Sequence, residues 1–296
     1  MLWKNTYNEF IKILAKPRSY IGLAALTLLI LIILFAMKAD GRMYISFVTA
    51  SFEQTLSFNG NILNGNLIAF IILQMLIVHI PLLVALVTGD LLSGEAAMGT
   101  LRMLLTKPIS RSQVVFSKLI AAAVYTFILV IWMGFLALVV GRWVFGTGDL
   151  IVLNSDGLVI LNYEDILWRY GLAFLVAYLA LMTIATLSIA FSAFADNSIG
   201  PIVSTMAVII LFTIIGTLDV SVFDHVKPWL FTTHMASWRS FFSDPVPWSA
   251  IWDSICILLA HNILFVAVAV FKFKRKDITS WSTFYSYSHF SVQRSV

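Results

Sequence analysis

Two histidines and one charged, glycine-containing stretch are where this chain could do chemistry. His79 and His261 stand inside long apolar runs, where an ionisable side chain is costly and calls for a reason. Imidazoles on two helices could hold a haem or relay a proton. They could equally be neutral and hydrogen-bonded between helices, because a cytochrome of that kind ordinarily needs two facing pairs. The stretch from Gly89 to Lys118 sets Asp90, Glu95, Arg102, Lys107, Arg111 and Lys118 between two apolar runs. Other chemistries lack their residues. There is no Gly-x-x-x-x-Gly-Lys phosphate loop, no His-Glu-x-x-His, no paired cysteines and no nucleophile elbow. The chain is therefore expected to be no enzyme and to hold no cofactor or metal of its own. Any ATP-driven work would need a motor on a separate polypeptide. The spans also lack a buried series of Asp, Glu or Arg, which argues against an ion-coupled carrier.

The elements that must position these residues are membrane helices. Of 296 residues 60% are hydrophobic and 11% charged, and the mean hydropathy is +0.94, which defines a polytopic membrane protein. The net charge of +4 comes without a basic stripe or stacking motif, so nucleic acid is not an expected partner. Cys256 is alone in an apolar run, which excludes a disulfide framework and predicts a buried, inert thiol. Before Ile21 the N-terminus is too polar for a cleaved signal peptide.

Hydropathy predicts an all-α protein with spans at Ile21–Met37, Leu67–Val87 (interrupted near its end by His79 and Pro81), Val114–Val140, Tyr170–Phe194, Pro201 to about Leu218, and Ala250–Phe271. Residues 1–276 form one transmembrane domain and 277–296 a tail. In residues 1–18, Trp3, Tyr7, Phe10, Ile11 and Leu14 share one helical face, and Lys4, Asn5, Asn8, Glu9 and Lys12 the other. Such a helix lies in the headgroup plane, and Lys16-Pro17-Arg18 ends it and anchors it at an anionic surface. Lys38–Asn66 reads as a polar exterior segment. Within Gly141–Asp165, Ile151–Leu153 and Leu158–Ile160 flank Asn154-Ser-Asp-Gly157, which predicts a small exterior β-hairpin or ordered loop. Ala173, Ala177 and Ala180 offer a small-residue face for close helix packing. Residues 219–249 mix aromatic and charged side chains, as suits an interface. The excess of Lys and Arg places both termini and the Glu95 stretch in the cytoplasm.

Within that stretch the spacing predicts a helix from Glu95 to Leu105, with Ala97, Leu101, Leu104 and Leu105 along one side. Glu95 in its first turn and Lys107 past its end suit the helix dipole, and Pro108 forbids continuation. Ser110 then caps a new helix, with Gln113 completing a capping box. Residues 91–113 thus form a stiff elbow lying across the membrane surface. The pattern Gly94-Glu95, Gly99-Thr100-Leu101, Leu104-Leu105, Pro108, Ser110-Arg111 and Lys118 resembles the type-2 ABC transporter permease family.

The resemblance implies that the elbow is a coupling helix docking into a separate ATP-binding subunit, which carries the ATP and Mg. Glu95, Arg102, Lys107 and Arg111 would make polar contacts there, and Leu101, Leu104 and Leu105 the packing ridge. Ala97, Gly99, Thr100 and Pro108 complete the docking segment. It further implies two ATP-binding subunits, a second permease chain forming a homodimer or related heterodimer, a prokaryotic cytoplasmic membrane, and short re-entrant helices in residues 219–249. The N-terminal helix would be either a plain anchor or a rest for the ATP-binding subunit. The long exterior segments could meet an extracytoplasmic partner. The function implied is that of an exporter subunit that moves a substrate or transmits a mechanical signal. A redox protein built on His79 and His261 and an ATP-independent channel or carrier are the alternatives.

Overall fold

Backbone groups inside hydrocarbon must find partners within their own segment, so apolar runs of this length fold as helices. The computed structural model describes residues 2–49, 62–77, 79–106, 109–154 and 157–276. In chain order the helices are α1 (Leu2–Ala15), α2 (Pro17–Thr49), α3 (Gly65–Leu76), α4 (Ile80–Thr88), α5 (Asp90–Ala97), α6 (Thr100–Leu105), α7 (Arg111–Gly134), α8 (Gly141–Phe145), α9 (Ile166–Phe194), α10 (Ile199–Thr217), α11 (Phe231–His234) and α12 (Trp248–Arg275). Among the described residues six helical stretches are long and apolar enough to cross a membrane. The fold is an all-α polytopic membrane protein.

The long α9 is its hub, packing against α12, α7, α10, α4 and α5. Ala173, Ala177 and Ala180, expected as a close-packing face, are all within 1% of complete burial. The hairpin is present as β1 (Leu150–Asn154) antiparallel to β2 (Gly157–Leu161), in a register that pairs Asn154 with Gly157. Gly157, the first residue of β2, has φ 135°, a conformation that glycine takes without steric cost. From Ser221 to Phe242 the chain makes short turns around α11, and Phe231, Trp238, Phe241 and Phe242 are buried. The ring of Phe242 meets those of Phe70 and Tyr170 in the bundle edge to face.

The Leu67–Val87 span, interrupted near its end by His79 and Pro81 as the sequence suggests, divides there into α3 and α4. Pro81 has no N–H for the carbonyl of Ile77 and its ring crowds that turn, so the ladder fails where the two helices separate. Lys38 does not begin a loop, because α2 continues through it to Thr49. The remainder of the Lys38–Asn66 segment up to residue 61 lies outside the described residues, as does the tail 277–296. Cys256 is exposed on α12 and not buried, since that helix shows much of its surface outside the bundle.

Candidate functional site

The Glu95 elbow is two helices and not one. Gly99 takes φ 71°, a left-handed conformation that ends α5 at Ala97 and starts α6 at Thr100. Glu95 therefore belongs to the end of α5 and is absent from the first turn of α6. The capping box forms as expected, with Ser110 Oγ accepting from Gln113 N and Gln113 Oε1 accepting from Ser110 N. The turn of α5 out of α4 at Gly89 is held from across the bundle. Ser192 Oγ on α9 accepts from the N–H of Ser93 at 2.9 Å and of Leu92 at 3.2 Å, and donates to Gly89 O at 2.6 Å. Those are orphan donors at a helix start, satisfied in trans.

Around the end of α5 lies a clasp of charges that joins three helices. Lys118 on α7 donates to Glu9 Oε2 of α1 at 2.6 Å, and Lys12 of α1 donates to Glu9 Oε1 and Glu95 Oε1, each at 2.7 Å. Lys118 Nζ closes the ring by an ion pair of 3.0 Å with Glu95 Oε2, off the axis of a good hydrogen bond. Signs alternate around the ring Glu9, Lys12, Glu95, Lys118, so it is neutral. The side chains of Lys118, Glu9 and Glu95 are 1%, 2% and 7% exposed, whereas that of Lys12 is 46% exposed. A charge so deeply buried persists only when paired. The free space there is about 10 Å³, room for one water at most. Lys12 lies outside the spans. Burial pulls its pKa down, but the bonds to Glu9 and Glu95 outweigh that and raise it above the ordinary lysine value.

Asp90 forms a second clasp at the other end of α5, with Lys16 Nζ at 2.6 Å and Arg18 Nη1 at 2.9 Å. The cations expected to anchor the chain at an anionic surface are instead occupied by a carboxylate. Gly94 permits this, because a Cβ there would collide with the Asp90 carboxylate. The N-terminal helix turns its polar face inward: Asn5 and Glu9 are buried, and Asn5 Nδ2 donates to Ser117 Oγ at 2.6 Å. Its apolar stripe of Trp3, Tyr7, Ile11 and Leu14 faces outward. That leaves the stripe for lipid, in keeping with a helix at the headgroup level.

The predicted docking residues divide. Leu101 is 1% exposed and, with Leu104, packs into the chain's own core, so these two do not form an outward ridge. The outward apolar residues near α6 are Met98 and Met103. Ala97, Gly99 and Thr100 are exposed beside them. Arg111 is half-buried, and its Nη1 donates to the carbonyls of Lys274 at 2.9 Å and Lys276 at 2.6 Å, capping α12. Lys107 and Pro108, and the side chains of Arg102 and Leu105, lie outside the described residues. Glu9 and Lys12 were missing from the expected site, and Lys118 stood in its pattern without a contact assigned to it. Their signal in the sequence was a glutamate on an amphipathic helix and a lysine two turns inside a span-forming helix.

Each of these two histidines hydrogen-bonds a nearby backbone carbonyl and, among the described residues, no side chain of a neighbouring helix. His79 Nδ1 is 2.9 Å from Met75 O, and His261 Nδ1 is 2.9 Å from Ile257 O, each a carbonyl one turn earlier. His261 rests against the rings of Phe231 and Phe265. No group of three or more His, Cys, Asp or Glu that could hold a metal occurs among the described residues.

Fold and site together define a multi-pass membrane protein whose interfacial helix is locked by buried charges to a sharp helical elbow. The chain belongs to the family described as "Protein of unknown function (DUF2705)", which matches residues 24–279. The match begins inside α2 and so takes in Asp90, Glu95 and Lys118 but not α1. No curated protein matches the sequence.

Proposed function

We propose that this chain is the membrane-spanning subunit of an ATP-driven transporter, an exporter, in which α6 receives the motion of a separate ATP-binding subunit. The observation that carries this reading is the charge clasp. It fixes α5 to α1 and α7 one turn before a left-handed glycine, and Met98 just before that glycine and Met103 on the short helix after it are exposed to the outside. A push on α6 would pass through buried Leu101 into the core and through Ser192 into α9. Methionines suit the contact, since their flexible, polarizable side chains fit an apolar cleft. In this reading the clasp end of the bundle is cytoplasmic, with both termini there, in a prokaryotic cytoplasmic membrane. Two ATP-binding subunits bring ATP and Mg, and a second membrane chain, identical or related, completes the assembly. The cargo is a substrate moved outward or a mechanical signal to an extracytoplasmic partner.

The test is purification of the full chain in mild detergent together with its ATPase. A subunit with a phosphate-loop sequence should co-purify, and its ATPase activity should rise in the complex. Met98→Asp with Met103→Asp should cut that association roughly tenfold or more, as loss of central apolar anchors does elsewhere. The proposal fails if no such subunit is found, or if the folded double variant keeps both association and stimulation.

A further inference from the structure

Where α3 and α4 part, the bundle contains a cavity of about 340 Å³ between α4, α10 and the Phe231–Phe242 stretch. That is at the low end of the range of small-molecule sites, about 300–1,000 Å³. Ile77, Pro81, Ile209 and Met235 give it an apolar lining, and Thr232 and Arg239 give it polar groups. Thr232 Oγ1 is buried and has no hydrogen-bond partner among the described residues. A buried hydroxyl left so costs free energy that a ligand's acceptor would recover. The ion pairs of the described residues do not include Arg239. Its guanidinium lies 5.8 Å from the centroid of the Trp238 ring, a contact that leaves its in-plane donors free for an anion. Among the described residues, an exposed cation with no counter-ion, a buried hydroxyl with no partner and an apolar lining share one small cavity, and together they ask for a particular chemistry.

We infer that this cavity binds a small amphiphile: an anionic head, carboxylate or phosphate, on Arg239 and Thr232, and a short apolar tail against Ile77, Pro81 and Ile209. The site does not depend on ATP coupling, and binding is measurable on the chain alone.

The probe is decanoate carrying a photoreactive diazirine on its tail, added to the full chain in phosphatidylcholine nanodiscs, with the label mapped by peptide mass spectrometry. The label should fall on α4, α10 or residues 231–242, and unlabelled decanoate should compete it away where decanol and decyltrimethylammonium do not. Arg239→Gln should weaken labelling roughly tenfold or more, the usual worth of a hydrogen bond to a charged group, while Arg239→Lys keeps most of it. Gly216→Leu, whose Cβ would stand 3.4 Å from Thr233 Oγ1 on the cavity wall, should abolish it by filling the space. Repeating the experiment in phosphatidylglycerol nanodiscs separates two sources of the same chemistry. A fall in labelling assigns the site to a membrane lipid, and no change assigns it to a free amphiphile. The inference is overturned if decanol competes as well as decanoate, if Arg239→Gln labels like the wild type, or if the label spreads over lipid-facing helices alone.

Discussion

Replacing Lys118 by methionine tests the clasp most directly. Methionine keeps the length and apolar stem of the side chain and removes the charge, so packing changes little. The ring then holds Glu9 and Glu95 against Lys12 alone, two buried carboxylates for one half-exposed cation. Breaking a buried pair by removing one partner costs about 3–5 kcal/mol, because the remaining charge stays buried without compensation. If that cost is relieved by release of α1, amide exchange across Leu2–Ala15 should accelerate between about a hundredfold and several thousandfold, at 1.36 kcal/mol per factor of ten. Lys12→Met leaves the same two carboxylates to the buried Lys118, and the charge it removes is on a side chain 46% exposed and already screened by solvent, so acceleration should be clearly smaller than for Lys118→Met. Combining Lys118→Met with Glu9→Gln restores neutrality and should recover at least a factor of ten over Lys118→Met. Hydrogen exchange read by mass spectrometry on the full chain in nanodiscs gives all three numbers. Equal effects of Lys118→Met and Lys12→Met, or no rescue by Glu9→Gln, would refute the argument that burial sets the strength of this clasp.

Three further outcomes follow from the same geometry. Lys12 has a folded pKa above its ordinary value of 10.5, so its contribution is complete below that pH and is lost as pH rises through the raised value; the melting-temperature gap between wild type and Lys12→Met should stay flat from neutrality to about pH 10 and close above it. Gly65→Ala should destabilise by about 1–3 kcal/mol, since its Cβ would overlap the backbone of Arg142, whereas Gly171→Ala, with open space around it inside α9, should stabilise by about 0.5–1 kcal/mol; thermal unfolding of each separates them. Ser192→Ala removes the cross-bundle acceptor for the N–H groups of Leu92 and Ser93 and should cost about 1 kcal/mol, with faster exchange of those two amides.

The parts of this fold that were legible in the sequence are those encoded locally. Apolar run length marks the spans, Asn154 to Gly157 marks the hairpin, and Ser110 with Gln113 marks the start of α7. The elbow was legible as a place but not as a shape. Reading Gly99 as an interior helix residue overlooked the conformation that glycine adopts most freely, and this shifted Glu95 into the wrong helix. The clasp could not be read at all by local rules. Glu9 and Lys118 are 109 residues apart, and reading Lys12 as part of a polar face and Lys16 and Arg18 as surface anchors hid that each has a carboxylate waiting in the fold. Leu101 was misjudged for a related reason: a leucine stripe on a short helix can face a partner or its own bundle, and spacing does not distinguish the two.

Cys256, the sole cysteine, is exposed near the start of α12. Eight residues after Trp248, it sits about 12 Å along that helix. A nitroxide attached to the unmodified protein would therefore report from one place on each chain. Dipolar spectroscopy on such a sample reads the spacing between copies in a bilayer directly, and an absent dipolar signal would mean that they stand far apart or alone.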